Sequence, residues 1–288
     1  MPRPPGPPRA DEVVRSRANP VLKRLRALKD KGERGADGLM LLEGGKLVEE
    51  ALGAGVELVE AAASPRFGSG AAEARLAAEL SRRGVALRRV EAGLLASLSE
   101  LETSPGLLAV ARRPAFDEER LYGRAPLVVI AAGLQNPGNL GGLLRTAEAA
   151  GASGAYLTEG TADPFAWKAL RGSMGSAFRL AHVRGLSARD AVQRVRDRGL
   201  QVVATQAQAS LAYDEVDFAS PTALVFGAEG SGLAADLAAS ADLRVTVPMR
   251  RPVESLNVGV AAGILLFEAA RQRRRGSRRA LAKGRTAS

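Results

Sequence analysis

Two apolar rhythms alternate along this chain. Runs such as "LMLLEG", "VELVEAAAS" and "GLLAVARR" are short and nearly continuously apolar, as buried strands are. Between them, "GKLVEEALGAG" and "AAEARLAAELSRRG" bring an apolar side chain round every three or four residues, the period of a helix with one buried face. Ahead of these, Val21, Leu22, Leu25 and Leu28 fall at helical spacing among lysines and arginines, which predicts a basic amphipathic helix. With the strand "VALRRV", a short helix in "LLASLSE" and a Thr-Ser-Pro-Gly turn, this gives a small α/β domain over residues 12–113. Residues 114–126, "PAFDEERLYGRAP", have proline at both ends and a charged middle, which is linker composition.

The alternation then resumes with strands "LVVIAAG", "GAYLTEG", "RLAHV", "LQVVATQA", "TALVFGAEG" and "LRVTVPM", separated by helices. The last helix is expected from Ser255 to about Arg273. Such a pattern predicts a mostly parallel sheet covered on both faces, spanning residues 127–273, with ligands beyond the strands' carboxyl ends. Apolar positions from Leu256 to Phe267 leave the last helix few polar faces, so burial on more than one side is expected. Gly259, Ala262 and Gly263 give it a stripe of small residues where another backbone can lie close. Residues 1–11 read as an extended, disordered proline-rich tail and residues 274–288 as a basic one.

Composition narrows the chemistry. The 288 residues include no cysteine, which excludes disulfides, thiolate zinc sites and cysteine nucleophiles. The single histidine, His182, lies in the strand-like run "FRLAHVR" with no accompanying serine or carboxylate motif; a structural or exposed role is expected, with no histidine triad and no metal. The longest apolar run, Val258 to Phe267, is about half a membrane span, and the N-terminus lacks an apolar signal core, so a cytoplasmic protein without membrane association is expected. Of the net +10, residues 1–34 carry +6 and residues 271–288 carry +8, which leaves −4 between. Flexible basic arms around a near-neutral body suit a protein that reaches for nucleic-acid phosphates. Aromatic residues make up only 4%, so shape and phosphate contacts, more than base stacking, are expected to carry any RNA affinity.

Three strand-to-helix loops combine glycine with polar side chains. In "LQNPGNLGGLLRTAEAAG", Gly138, Gly141 and Gly142 permit close backbone approach, Asn139 is expected to cap the helix, and Arg145 follows six residues on, near an end where anions bind. In "VFGAEGSGL" the glycines Gly227, Gly230 and Gly232 do not match a dinucleotide fingerprint, and Glu229 is either a partner for a helix dipole or a ligand-facing group. In "MRRPVESLNVGVAAG", the polar cluster Glu254, Ser255 and Asn257 precedes the apolar helix.

Together these loops resemble the SpoU family of S-adenosylmethionine-dependent RNA ribose 2′-O-methyltransferases, in the knotted SPOUT superfamily. The matching stretches are "NPGNLGGLLRTAEAAG", "LVFGAEGSGL" and "VTVPMRRPVESLNVGVAAGILLFEAARQR", in the right order and spacing. The N-terminal part is similar to the family's ribosomal-protein-like substrate-binding domain through "RSRANPVLKRLRALKD", "LLEGGKLVEEAL" and "ETSPGLLAV". The resemblance implies a C-terminal α/β trefoil-knot domain, a homodimer, an RNA substrate and S-adenosylmethionine as cofactor. It places the cofactor near Ala204, Thr205, Gly227, Val247 and Leu256, and the active site at Asn139, Arg145, Glu229, Ser255 and Asn257.

Because a guanidinium stays protonated, Arg145 is expected to grip the phosphate beside the target ribose, the proton leaving to phosphate, water or Glu229. Glu254 and Arg250 or Arg251 are expected to scaffold their loop. Two-domain members point to ribosomal RNA, in a housekeeping or an antibiotic-resistance role. The rivals are a transfer-RNA 2′-O-methyltransferase, a non-catalytic RNA-binding protein on the same fold, and a nucleotide-dependent oxidoreductase, which would need the missing G-x-G-x-x-G.

Overall fold

The computed structural model describes residues 13–31 and 38–286, with side chains over 13–29 and 38–276. The tail expected at residues 1–11 lies outside the described residues. Two compact units divide at Pro114, the first also taking in Phe165–Leu170.

In the first unit, α1 (Pro20–Lys31), α2 (Gly45–Gly53), α3 (Ala71–Arg82) and α4 (Ala92–Ala96) alternate with strands β1 (Leu39–Glu43), β2 (Leu58–Ala63), β3 (Ala86–Arg89) and β4 (Leu107–Arg112). The sheet order is β1-β4-β2-β3, with β4 antiparallel to both neighbours and β2 parallel to β3. The apolar face of α1 supplies Leu22 and Leu25 to a core with Ala62, Leu108 and Val110. One carboxylate is buried here. Glu43 accepts from the Ser99 hydroxyl, from the Glu100 N–H at 3.2 Å and from Trp167 Nε1 at 2.7 Å. A buried carboxylate is tolerated when its lone pairs find donors, as these do.

The second unit is built on strands β5 (Leu127–Ala131), β6 (Gly154–Leu157), β7 (His182–Arg184), β8 (Gln201–Thr205), β9 (Leu211–Ala212), β10 (Thr222–Phe226) and β11 (Leu243–Thr246). Helices α5 (Pro137–Ala150), α6 (Trp167–Ser173), α7 (Ser176–Arg179), α8 (Ala188–Asp197), α9 (Ala235–Ser240) and α10 (Val258–Thr286) connect or follow them. All pairings are parallel in the order β7-β6-β5-β10-β8-β11-β9. The chain walks outward from β5 to β7, returns to lay down β8, and only later slots β10 between β5 and β8. That reversal beside β5 is the switch point where such sheets open a crevice. The loops that leave β5, β10, β8 and β11 emerge there side by side.

The segment with linker composition is an ordered strap on this second unit. Phe116 lies against the His182 ring at 4.7 Å, Leu121 is fully buried, and Tyr156 donates to Glu118 at 2.5 Å. Arg194 and Arg198 of α8 and its C-terminal cap hold Glu118 and Glu119. Burial raises the Tyr122 and Tyr156 hydroxyls, so both stay protonated as donors. A Cβ at Gly154 would lie 2.5 Å from Leu121 Cγ, so glycine in β6 is what lets the strap lie flat.

The last helix differs from expectation at both ends and on one face. It starts at Val258 and continues to Thr286. Ala262, Leu265, Leu266 and Ala269 are buried, whereas Val260 and Phe267 are 52% and 47% exposed, so one face is open. Its middle is pinned by Gln272 and Arg273. Gln272 accepts from the Phe218 N–H at 2.8 Å and donates to the Val216 carbonyl at 2.9 Å. Arg273 donates to the carbonyls of Phe218 and Ser220 at 2.8 Å and of Pro126 at 3.2 Å; burial pushes its guanidinium down from its ordinary value, against the opposing pull of Asp217.

His182 is buried, and its Nδ1–H donates to the Leu180 carbonyl at 3.0 Å. Burial pushes the imidazole down to about 4, so the fold holds it neutral. A depressed folded-state pKa stabilises the fold above the unfolded value near 6.5, and that contribution is lost as pH falls through about 4. Urea unfolding between pH 7 and pH 4 should therefore show stability falling as pH drops. His182→Gln should flatten the slope by up to roughly 3 kcal/mol, and an unchanged slope would remove His182 as its source.

Candidate active site

A cavity of about 380 Å³ opens where the β8, β10 and β11 loops meet α10. Phe226, Val245, Val258, Ala261 and Leu265 give it apolar walls, while Thr205, Gln206, Gly227, Glu229, Val247, Ser255 and Asn257 bring polar groups and backbone. That combination of apolar lining and a few convergent polar groups is what small-molecule sites share. Gly227 is fixed by contact: a Cβ there would sit 2.3 Å from the Gly232 carbonyl carbon and 2.5 Å from the Leu233 nitrogen. The loop folds back on itself at this point, with Ala228 and Gly232 exchanging N–H···O bonds at 3.1 and 2.9 Å. Thr205 ties β8 to β10 by donating to the Val225 carbonyl at 2.8 Å.

Four of the five residues expected around the cofactor, Thr205, Gly227, Val247 and Leu256, line this cavity. Ala204 does not. It is buried within β8, flanked by Val225 and Arg244 of the neighbouring strands, because side chains alternate along a strand and its own points away. Of the five expected active-site residues, Glu229, Ser255 and Asn257 line the cavity directly.

Asn139 joins them from α5. Its Nδ2 donates to Glu229, and its Oδ1 accepts from Asn257 Nδ2 at 3.2 Å. Asn257 Oδ1 in turn accepts the Gly259 N–H at 2.9 Å, and its carbonyl takes the N–H groups of Val260 and Ala261 at 3.0 Å. Asn257 is therefore the cap of α10. This fixes every amide in the row: a capping oxygen can only accept, so Asn257 presents its NH₂ to Asn139, which must present its own to Glu229.

Asn139 is not the cap of α5, as the sequence suggested. Asn136 is, accepting from the Gly138 N–H at 2.8 Å and the Asn139 N–H at 3.2 Å, with Pro137 in the first turn. An asparagine before proline is held extended and is thus already shaped for a cap. Asn139 is released to bond Glu229 and Asn257. Arg145 sits on a different face of α5, exposed, and forms no hydrogen bond or ion pair with another described residue. The turns of α5 before it are bare of side chains at Gly138, Gly141 and Gly142, and Gly172 packs so close to them that a Cβ on it would lie 3.0 Å from the Gly138 carbonyl oxygen.

Arg250 and Arg251 do not scaffold their loop. Both are exposed without a bonded partner among the described residues, and the loop is turned by a backbone bond, Val253 N–H to the Arg250 carbonyl at 3.2 Å. Sequence reasoning also missed the cavity's apolar lining, since Phe226, Val245 and Leu265 follow strand or helix periodicity and read as ordinary core. Among the described residues no group of His, Asp and Glu is arranged to hold a metal, and no helix is long and apolar enough to cross a membrane.

Comparison with known proteins gives a consistent picture. The SpoU rRNA Methylase family pattern matches residues 126–267, and the MRM3-like substrate binding domain matches residues 19–109. The 23S rRNA (guanosine(2553)-2′-O)-methyltransferase RlmP of Bacillus subtilis is 34% identical over 88% of this chain and 97% of its own. The SpoU methyltransferase AviRb from Streptomyces viridochromogenes, solved with AdoMet, superposes with a TM-score of 0.78 at 30% identity, over 88% of this chain and 98% of that one. An AdoMet-bound rRNA methyltransferase from Sinorhizobium meliloti gives 0.77 at 31% identity, over 90% and 97%.

The two duties of Asn257 are separable. Asn257→Asp keeps a capping oxygen but cannot donate to Asn139, whereas Asn257→Ala loses both. Thermal unfolding should leave the aspartate variant near the parent and lower the alanine variant by about 1 kcal/mol, or roughly 2–4 °C. Equal melting of the alanine variant and the parent would show that the cap does not matter.

Proposed function

This chain belongs to the SpoU rRNA methylase family, and on that footing we propose that it methylates the 2′-hydroxyl of a ribose in ribosomal RNA. S-adenosylmethionine is the cofactor, and when bound it supplies an electrophilic methyl group. The cavity suits it. Apolar walls at Phe226, Val245 and Leu265 accept a purine, and the backbone at Gly227, Val247 and Leu256 offers N–H and C=O groups to its edges. The observation that carries the reading is the row from Asn257 through Asn139 to Glu229 at the mouth of this cavity.

In the reaction the ribose oxygen attacks in line while losing its proton. Arg145, with its guanidinium unengaged, holds the phosphate beside the target ribose in a bidentate grip and stabilises charge on the attacking oxygen. Asn139 fills one Glu229 oxygen by donation, which leaves the other to receive the hydroxyl proton or to orient a water that does. Ser255, exposed at the cavity, bonds the ribose. Asn257 acts through Asn139.

Residues 12–113 form the substrate-binding domain in this reading, supported by the match over residues 19–109. The basic terminal segments add sequence-independent affinity for phosphates. We also propose that the chain after β11 threads an earlier loop as a trefoil knot, and that the enzyme works in the cytoplasm as a homodimer. The open face of α10 supports the dimer: Val260, Ile264 and Phe267 recur at helical spacing on a half-exposed apolar stripe.

The test of the function is transfer of a labelled methyl group to ribosomal RNA, followed by mapping of ribose methylation. Arg145→Ala should lower turnover at least roughly a hundredfold with cofactor affinity in calorimetry nearly intact, and Arg145→Lys should not rescue it. Parallel loss of cofactor binding, or normal activity in the lysine variant, would refute the phosphate grip. Light scattering tests the dimer: the parent should run at twice the 30.0 kDa chain mass and Phe267→Glu as a monomer, and a monomeric parent would overturn the proposal.

A further inference from the structure

Many of the described arginines of the second unit are engaged within the protein. Arg179 is held by Glu148 at 2.7 Å, Arg196 by Asp242 at 3.0 Å, and Arg273 by backbone carbonyls. Arg250 and Arg251, like Arg145, are not. They are adjacent in sequence and exposed, and neither guanidinium makes a hydrogen bond or ion pair with a described residue. The loop has a carboxylate of its own in Glu254, also exposed, and neither arginine bonds it.

Their location gives this freedom a direction. Met249 and Ser255 both line the cavity, and the five exposed residues from Arg250 to Glu254 connect these two points on its wall. The turn is made by a backbone bond, so the loop's shape does not depend on either guanidinium. Two cations therefore sit next to the reaction cavity on a body that is net negative even with them counted, −4 over residues 35–270. A guanidinium presents a planar fork that matches a phosphate, and an unengaged one need break no internal bond to use it. With 4% aromatic residues, the chain has few rings on which to stack the bases of a bound strand.

We propose that Arg250 and Arg251 are a phosphate clamp on the RNA strand flanking the methylated nucleotide. The clamp positions the substrate over the cavity and adds affinity without reading sequence. It rests on the reading of this chain as an RNA methyltransferase and extends that reading to residues outside the active-site row. Because the arginines touch the strand beside the target and not the reacting atoms, their loss falls on the RNA KM more than on kcat.

The double variant Arg250→Gln/Arg251→Gln keeps polar side chains of similar reach and removes both charges. Binding of a mixed-sequence RNA of about 20 nucleotides is followed by fluorescence anisotropy from low to moderate salt, and binding of S-adenosylhomocysteine by calorimetry. The variant should bind RNA about tenfold more weakly at low salt, with the slope of log K against log salt shallower by roughly 1.4, about 0.7 for each lost contact. Its S-adenosylhomocysteine affinity should match the parent. Arg250→Lys/Arg251→Lys should restore the salt slope and only part of the affinity. An unchanged RNA affinity and slope overturns the clamp, and so does a matching loss of S-adenosylhomocysteine binding, which would return both arginines to shaping the cavity. If the parent itself neither binds nor methylates RNA, it is the methyltransferase reading that fails; if the parent does both and the double variant equals it, only the clamp fails.

Discussion

The geometry of the site hangs on one amide. Asn257 must end an extended loop, begin a 29-residue helix and face a partner from a different helix, and its side chain has one acceptor and one donor group for these tasks. The helix claims the oxygen, because its first N–H groups have no partner inside the helix. Asn139 then receives the nitrogen, and the orientation passes on to Glu229. About four turns on, α10 is anchored by Gln272 and Arg273 against carbonyls at the foot of β5 and β10. The stretch of about 24 Å from the cap to Arg273 is thus held at each end, and the cap cannot slide along the helix axis.

Much of this fold could be read from the sequence, for a physical reason. Strands buried on two faces have to be apolar throughout, and helices on a sheet have to be apolar on one side, so β5, β8, β10 and α8 announce themselves by period alone. The three motif loops were visible as glycine and polar residues between such periods. Less legible were decisions that turn on a partner elsewhere in the chain. Whether Asn136 or Asn139 caps α5 depends on which of them the proline preorganises. Whether Ala204 meets a ligand depends on the phase of a strand, and one residue changes the answer. The open face of α10 is apolar like its buried face, so no hydropathy pattern tells them apart. Proline and charge made residues 114–126 look like a linker, and only the tertiary partners His182, Tyr156 and α8 reveal a strap.

Glycine carries an unusual share of the long-range organisation. Gly227 lets a loop close on itself beneath the cavity, Gly172 brings a helix end onto the backbone of α5, and Gly154 admits Leu121 against β6. Each is a place where main chain meets main chain or a large side chain, and a methyl group would separate the two. Contacts of this kind fix distance without fixing chemistry, and few polar side chains around the cavity, Thr205 and Asn257 among them, carry structural duties.

Trp167 bears on how the molecule can be divided. The chain has one tryptophan, encoded well inside the stretch that otherwise builds the second unit, yet its indole belongs to the first, where it donates to the buried Glu43. A fragment cut at Pro114 would carry Glu43 without that donor and would lose Phe165 to Leu170 from its own body. The substrate-binding part is therefore not a detachable module at its apparent boundary. The 288-residue chain instead carries a built-in optical label: emission from its one indole reports on the integrity of the first unit while the chemistry is followed in the second.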